Sequence, residues 1–145
     1  MMKGFLKLSC AMFSAAILAG CASGVPVTES KVAGEPVPNG KARVAIYRTN
    51  LLGAAIQPVV RVDGRETGRC TPQGVFYVDV KPGQHNLSAT TEVEKTSYLS
   101  VKEGETAYVK CSIGLGLFVG QPRLDIVSSA VGRTDTQKLK VTGKY

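Results

Sequence analysis

Tryptophan is absent from this 145-residue chain, histidine occurs once, as His85, and only 6% of the residues are aromatic. With a single imidazole, any Ser–His–Asp or Cys–His arrangement has to pass through His85. That residue follows the Lys81-Pro82-Gly83 turn in phase with Leu87 and Ala89, which reads as a packed or capping histidine. A metal site would have to be built almost wholly from carboxylates, and no suitable cluster is visible. Asp63, Asp79, Glu92, Glu94 and Asp125 invite a search for a glycosidase pair, but Asp63 is explained by a turn and Glu92 and Glu94 by a polar loop edge. No aromatic stacking platform lies beside a basic groove, so nucleic-acid binding has no support. The expectation is a non-enzymatic chain without cofactor, metal or nucleic-acid partner.

A run long enough to span a bilayer is missing as well. Leu8 to Ala19 is apolar with small polar interruptions, about a dozen residues, too short to cross a ~30 Å hydrocarbon core as a helix. Preceded by Lys3 and Lys7, it has the length and flanks of a signal peptide over residues 1–20. It ends in Leu18-Ala19-Gly20-Cys21, which resembles the bacterial lipobox; cleavage between Gly20 and Cys21 leaves Cys21 as the first residue, carrying diacylglycerol. An ordinary secretory site or a short membrane anchor is the alternative. Two or more acyl chains, at ~0.8 kcal/mol per buried methylene, hold a protein on a membrane essentially permanently. Ala22 and Ser23 follow, with no Asp in second place, and in a diderm cell that pattern implies the outer membrane, facing the periplasm. The formal charge of +7 then falls to +5, because Lys3 and Lys7 leave with the signal peptide and 16 basic residues remain against 11 acidic ones. The remaining 125 residues suit one domain.

Of four cysteines, Cys10 leaves with the signal peptide and Cys21 takes lipid, so Cys70 and Cys111 are the remaining pair in an oxidising compartment. A Cys70–Cys111 disulfide and two buried free thiols both fit. Residues 22–40 are rich in Gly, Pro and small polar side chains and read as a flexible tether, with a reach of roughly 25 Å.

Beyond Lys41 the chain alternates apolar and polar residues in short runs punctuated by turns. Strands are expected at Arg43–Arg48, Val59–Asp63, Arg65–Arg69, Gly74–Val80, Gln84–Thr91, Ser97–Val101, Thr106–Ser112 and Arg123–Ser128. Asp63-Gly64 marks a tight hairpin, and Lys81-Pro82-Gly83 and Glu103-Gly104 mark further turns. No run has helical periodicity. This implies an all-β domain over residues 41–131, a single antiparallel β-sandwich of seven or eight strands, with residues 132–145 as a tail or an edge strand.

Val60-Arg-Val-Asp63-Gly64 through Gly68, followed by Gly74-Val-Phe76 through Pro82-Gly83-Gln-His85, resembles the hairpin of PEGA-type surface domains. The span from Lys41 to Val131, opening on Ala42-Arg-Val-Ala-Ile-Tyr47-Arg48, is similar to a family of small bacterial lipoproteins defined only as a domain of unknown function. The later segment Tyr108-Val-Lys, then Gly114-Leu-Gly116-Leu-Phe118-Val-Gly120-Gln-Pro122, shares in that similarity. The resemblance implies an immunoglobulin-like or PEGA-like sandwich in the cell envelope and carries over no catalytic residue.

Two apolar loops remain. Leu51, Leu52 and Ile56 lie between the first two strands, and Leu115, Leu117, Phe118 and Val119 interrupt a glycine-rich segment that is neither a dinucleotide fingerprint nor a P-loop. Either the loops pack together over the core, or they expose an apolar patch for an envelope protein partner. A second binding reading gathers Tyr47, Tyr77, Tyr98 and Tyr108 around one concavity for a small ligand or glycan. Arg61, Arg65 and Arg69, and Lys138, Lys140 and Lys144, read as solvated surface charge.

Overall fold

The computed structural model describes residues 23–91, 94–114 and 120–145. Gly20 and Cys21, Glu92, and Leu115, Leu117, Phe118 and Val119 lie outside the described residues. The described chain forms strands β1 (Val25–Pro26), β2 (Ala42–Arg48), β3 (Val59–Val62), β4 (Arg65–Arg69), β5 (Gly74–Val80), β6 (Gly83–Thr90), β7 (Glu94–Val101), β8 (Thr106–Gly114), β9 (Gln121–Val127) and β10 (Lys140–Lys144). Two short helices, α1 (Lys31–Gly34) and α2 (Ser129–Thr136), complete it. Six strands in the order β1-β10-β5-β2-β8-β9 form one sheet and four in the order β4-β3-β6-β7 form the other. The fold is an all-β sandwich.

Local chemistry explains the hairpins. Asp63 and Gly64 both have positive φ, 51° and 77°, the backbone of a two-residue turn that matches strand twist. β3 therefore returns directly as β4, with Val62 opposite Arg65. Between the sheets, Val44, Ile46, Val60, Val62, Phe76, Leu87, Leu99 and Val109 form the main core. Their period-two spacing is what the sequence pattern predicts.

Three features depart from the sequence-based expectation. The larger sheet is mixed, because β8 runs parallel to β2 and β10 runs parallel to β5. Residues 132–145 are neither tail nor edge: they include most of α2, and β10 sits between β1 and β5. Residues 23–40 are not a free tether either. Val25 pairs with Val141, the Val27 amide donates to the Leu139 carbonyl, and Ser30 caps α1.

These terminal segments cover the outer face of the larger sheet. Ala45, Tyr47, Val75, Tyr77 and Leu139 form a second core there, with Val27, Val32, Ala33, Val127 and Val141 packed against it. All seven residues of β2 are consequently buried, as befits a central strand covered on both faces. Arg43 fastens the layer down. Its guanidinium holds Asp79 through two bonds of 2.7 and 3.1 Å and donates to the Glu35 carbonyl at 2.7 Å, so one side chain ties β2, β5 and the end of α1.

Candidate functional site

At one end of the sandwich, β2 leads into the loop that carries Leu51, Leu52 and Ile56. Arg48, the last residue of β2, is fully buried, and its guanidinium turns back into this loop. It donates to the carbonyls of Ile56 at 2.8 Å and Cys70 at 3.1 Å, to the Leu52 carbonyl, and to Asn50 Oδ1. Burial pulls its pKa down, and carbonyl dipoles take the place of a carboxylate partner. Beneath the loop, Cys70 and Cys111 are joined in a disulfide with Cα atoms 6.2 Å apart, bridging the end of β4 to β8 and hence one sheet to the other.

Ile56 of this loop meets Ile113 and Gly120 there. A Cβ on Gly120 would lie 2.6 Å from Ile113 Cγ2 and 2.8 Å from Ile56 Cδ1, and one on Gly53 would lie 3.2 Å from Ile113. Ile56 and Ile113 therefore close the core, while Leu51 and Leu52 stay 50% and 53% exposed.

At the other end, His85 lies on the inner face of β6 but at the margin of the core. Its Nδ1 sits 2.6 Å from Asp63 Oδ2 and its Nε2 sits 2.7 Å from the Lys81 carbonyl oxygen. Both acceptors are satisfied when both ring nitrogens carry protons. Burial opposes that charged form, but the Asp63 carboxylate and the Lys81 carbonyl outweigh it, and the histidine pKa is raised. Hydrogen bonding from His85 in turn lowers the Asp63 pKa. The imidazole is thus occupied as a bridge between two turns. An open hollow of about 440 Å³ lies beside it, where Lys41, Arg65 and Lys81 alternate with Asp63, Glu66 and Asp79.

The outer face of the larger sheet holds a cleft of about 300 Å³ between the layer of residues 27–35 and α2. Register builds its floor. Ala45 of β2 stands between Tyr77 of β5 and Tyr108 of β8, so a small side chain separates two large ones. Neither tyrosine hydroxyl makes a hydrogen bond among the described residues. Burial, with Tyr108 nearby, pushes the Tyr77 pKa up to about 12, which keeps its hydroxyl a neutral donor. Tyr47 lies farther along the same face and donates to Asp135 at 3.0 Å, which also pairs with Lys110. Tyr98 belongs to the other sheet and is 76% exposed. Of the four tyrosines considered from the sequence, two line the cleft. The sequence reading missed its other polar lining, Thr106 on β8, Arg133 and Gln137 on or just after α2, and Thr28 and Ser30 before α1.

Among the described residues no group of three or more His, Cys, Asp or Glu could hold a metal ion. Nor is any described helix long and apolar enough to cross a membrane. Fold and site together define a small disulfide-bridged β-sandwich whose terminal segments form an extra layer over one sheet. Residues 38–121 match the family described as "Protein of unknown function (DUF2846)", and the chain belongs to it. It is also 28% identical over 133 residues to a protein described as uncharacterized from Haemophilus influenzae (strain ATCC 51907 / DSM 11121 / KW20 / Rd), covering 88% of this chain and 79% of that relative.

Proposed function

We propose that this protein is a lipid-anchored component of the cell envelope, held at the outer membrane through Cys21 and facing the periplasm, where it works as a non-enzymatic interaction module. The observation that carries the interaction reading is the pair Leu51 and Leu52, half-exposed on a loop that Arg48 holds in place from beneath. An apolar pair on a rigid support loses little conformational freedom on docking. The lipid reading rests on Gly20-Cys21 and the apolar segment before it. Ser23 and Gly24 lead straight into β1, so a lipid anchor just before them would hold the domain close to the headgroups. Occupation of both His85 nitrogens supports the non-enzymatic reading.

The test has two parts. Cys21→Ser moves the protein from the membrane fraction to the soluble one; continued membrane retention removes the lipid anchor. A photo-crosslinker at position 52, introduced in the lipidated protein in its own envelope, yields one discrete adduct that a crosslinker at position 98 does not. Identical adducts from both positions, or bulk porins and lipid alone, remove the docking role of the loop.

A further inference from the structure

We propose that the cleft between residues 27–35 and α2 is a binding site for a small oxyanion ligand, a carboxylate or phosphate on a body no larger than a sugar ring. The site shares no residue with the Leu51–Leu52 loop, so its fate is independent of the docking role proposed above.

Its lining is rich in donors. Tyr77 is 5% exposed and lines the cleft, and no described residue accepts from its hydroxyl. That hydroxyl keeps access to water, so an incoming acceptor exchanges a solvent hydrogen bond for one held inside the cleft. Tyr108 supplies a second such hydroxyl across Ala45, and Thr106 and Gln137 add further polar groups. Arg133 also lines the cleft, and its guanidinium makes no hydrogen bond or ion pair among the described residues. An unpaired guanidinium in a cleft that also carries two tyrosine hydroxyls matches the several lone pairs of an oxyanion.

The other charges around the cleft are already engaged. Arg43 is taken up by Asp79 and by backbone carbonyls. Glu35 is the acidic residue of the lining, and Lys144 holds its carboxylate at 2.6 Å. Arg133 is therefore the cation left to choose the ligand. A cleft of about 300 Å³ is at the small end of the range for ligand sites, which limits the ligand body to a ring or a short chain.

The absence of tryptophan and the presence of five tyrosines make the test simple to read. The full chain, purified in detergent with its tyrosine rings ¹³C-labelled, is titrated with inorganic phosphate, D-glucuronate and uncharged D-glucose, and the five ring signals are followed by NMR. The expected result is a saturable shift of the Tyr77 and Tyr108 signals with phosphate or glucuronate, with a midpoint below about 10 mM, and none with glucose. Arg133→Gln, at an exposed helix position, weakens the midpoint tenfold or more while leaving the urea unfolding midpoint unchanged. Tyr77→Phe, which keeps the packed ring, weakens it severalfold and serves as the second variant should Arg133→Gln disturb the fold. Absence of a midpoint below about 10 mM for either oxyanion, an equal response to glucose, or binding unaffected by both variants overturns the proposal.

Discussion

Arg48 shows how much of this fold hangs on single polar side chains. It replaces water for the carbonyls of Leu52, Ile56 and Cys70 at once, so its removal strands the buried Cys70 acceptor and leaves the part-buried Ile56 and Leu52 carbonyls without their donor. Each unsatisfied buried carbonyl costs about 1–3 kcal/mol, although a loop that opens to water recovers part of it. Arg48→Gln is expected to lower unfolding stability by about 3 kcal/mol in urea titrations and to make residues 50–57 the first site of limited proteolysis. A loss below about 0.5 kcal/mol would show that the loop holds itself. The His85–Asp63 pair acts in the same way at the opposite end, on a smaller scale. Its histidine pKa is raised, so its stabilisation is complete below about pH 6.5 and disappears as pH rises through the raised value. Its aspartate pKa is lowered, so that contribution is complete above about pH 3.8 and is lost as pH falls through the lowered value. The pair is therefore strongest between these limits, and because Asp63 is half-exposed it contributes under about 1 kcal/mol. Urea midpoints measured at pH 5.5 and pH 9 should differ more in the wild type than in Asp63→Asn, a substitution that tolerates the positive φ at this turn.

At the scale of elements, α2 is held by close approach rather than by an apolar stripe. Its buried positions are Gly132 and Thr136, and a Cβ on Gly132 would fall 2.1 Å from Tyr108 Cγ. Gly132→Ala must displace either the helix or the ring. It is expected to cost about 1–3 kcal/mol and to speed amide exchange across residues 129–137, whereas Ala at exposed position 130 is already tolerated. The same feature explains why α2 escaped the sequence reading. Ser-Ala-Val-Gly-Arg-Thr-Asp-Thr has one large apolar residue, Val131, and that residue faces solvent. Helical periodicity cannot be seen in a helix that buries a glycine and a threonine. The eight strands expected from alternation are all present as β2 to β9, because one face of each buries against the other sheet. What alternation could not reveal was that β2 and β5 are covered on their second face too. Ala45, Tyr47, Val75 and Tyr77 sit at the positions that alternation assigns away from the main core, and their burial depends on partners up to about 100 residues away in sequence. Likewise, the Pro- and Gly-rich composition of residues 22–40 reads as a tether, yet two residues pairing with β10 and five backbone or side-chain bonds dock its described part.

The whole molecule is organised around two long-range closures. The N- and C-terminal segments pair with each other on the larger sheet, and the disulfide joins that sheet to the smaller one. The family match at residues 38–121 takes in the cleft floor, Tyr77, Thr106 and Tyr108, but not its two walls, which come from residues before 38 and after 121. The core sandwich and the cleft cover thus depend on different stretches of chain, and the disulfide acts only on the first. Its two cysteines are 41 residues apart and both buried, so oxidation restricts an unfolded loop worth about 4 kcal/mol by chain entropy. Replacing both by alanine should lower unfolding stability by about 3–4 kcal/mol, and wild type refolded under reducing conditions should fall by a similar amount. The variant should still bind at the cleft under native conditions, because Cys70 and Cys111 face the main core and Tyr77 and Arg133 face the opposite side of the larger sheet. Loss of stability confined to the global transition, with amide exchange of residues 129–144 unchanged relative to it, is the signature expected of a bridge between sheets. Selective loosening of residues 129–144 would instead mean that the bridge and the terminal layer form one cooperative unit.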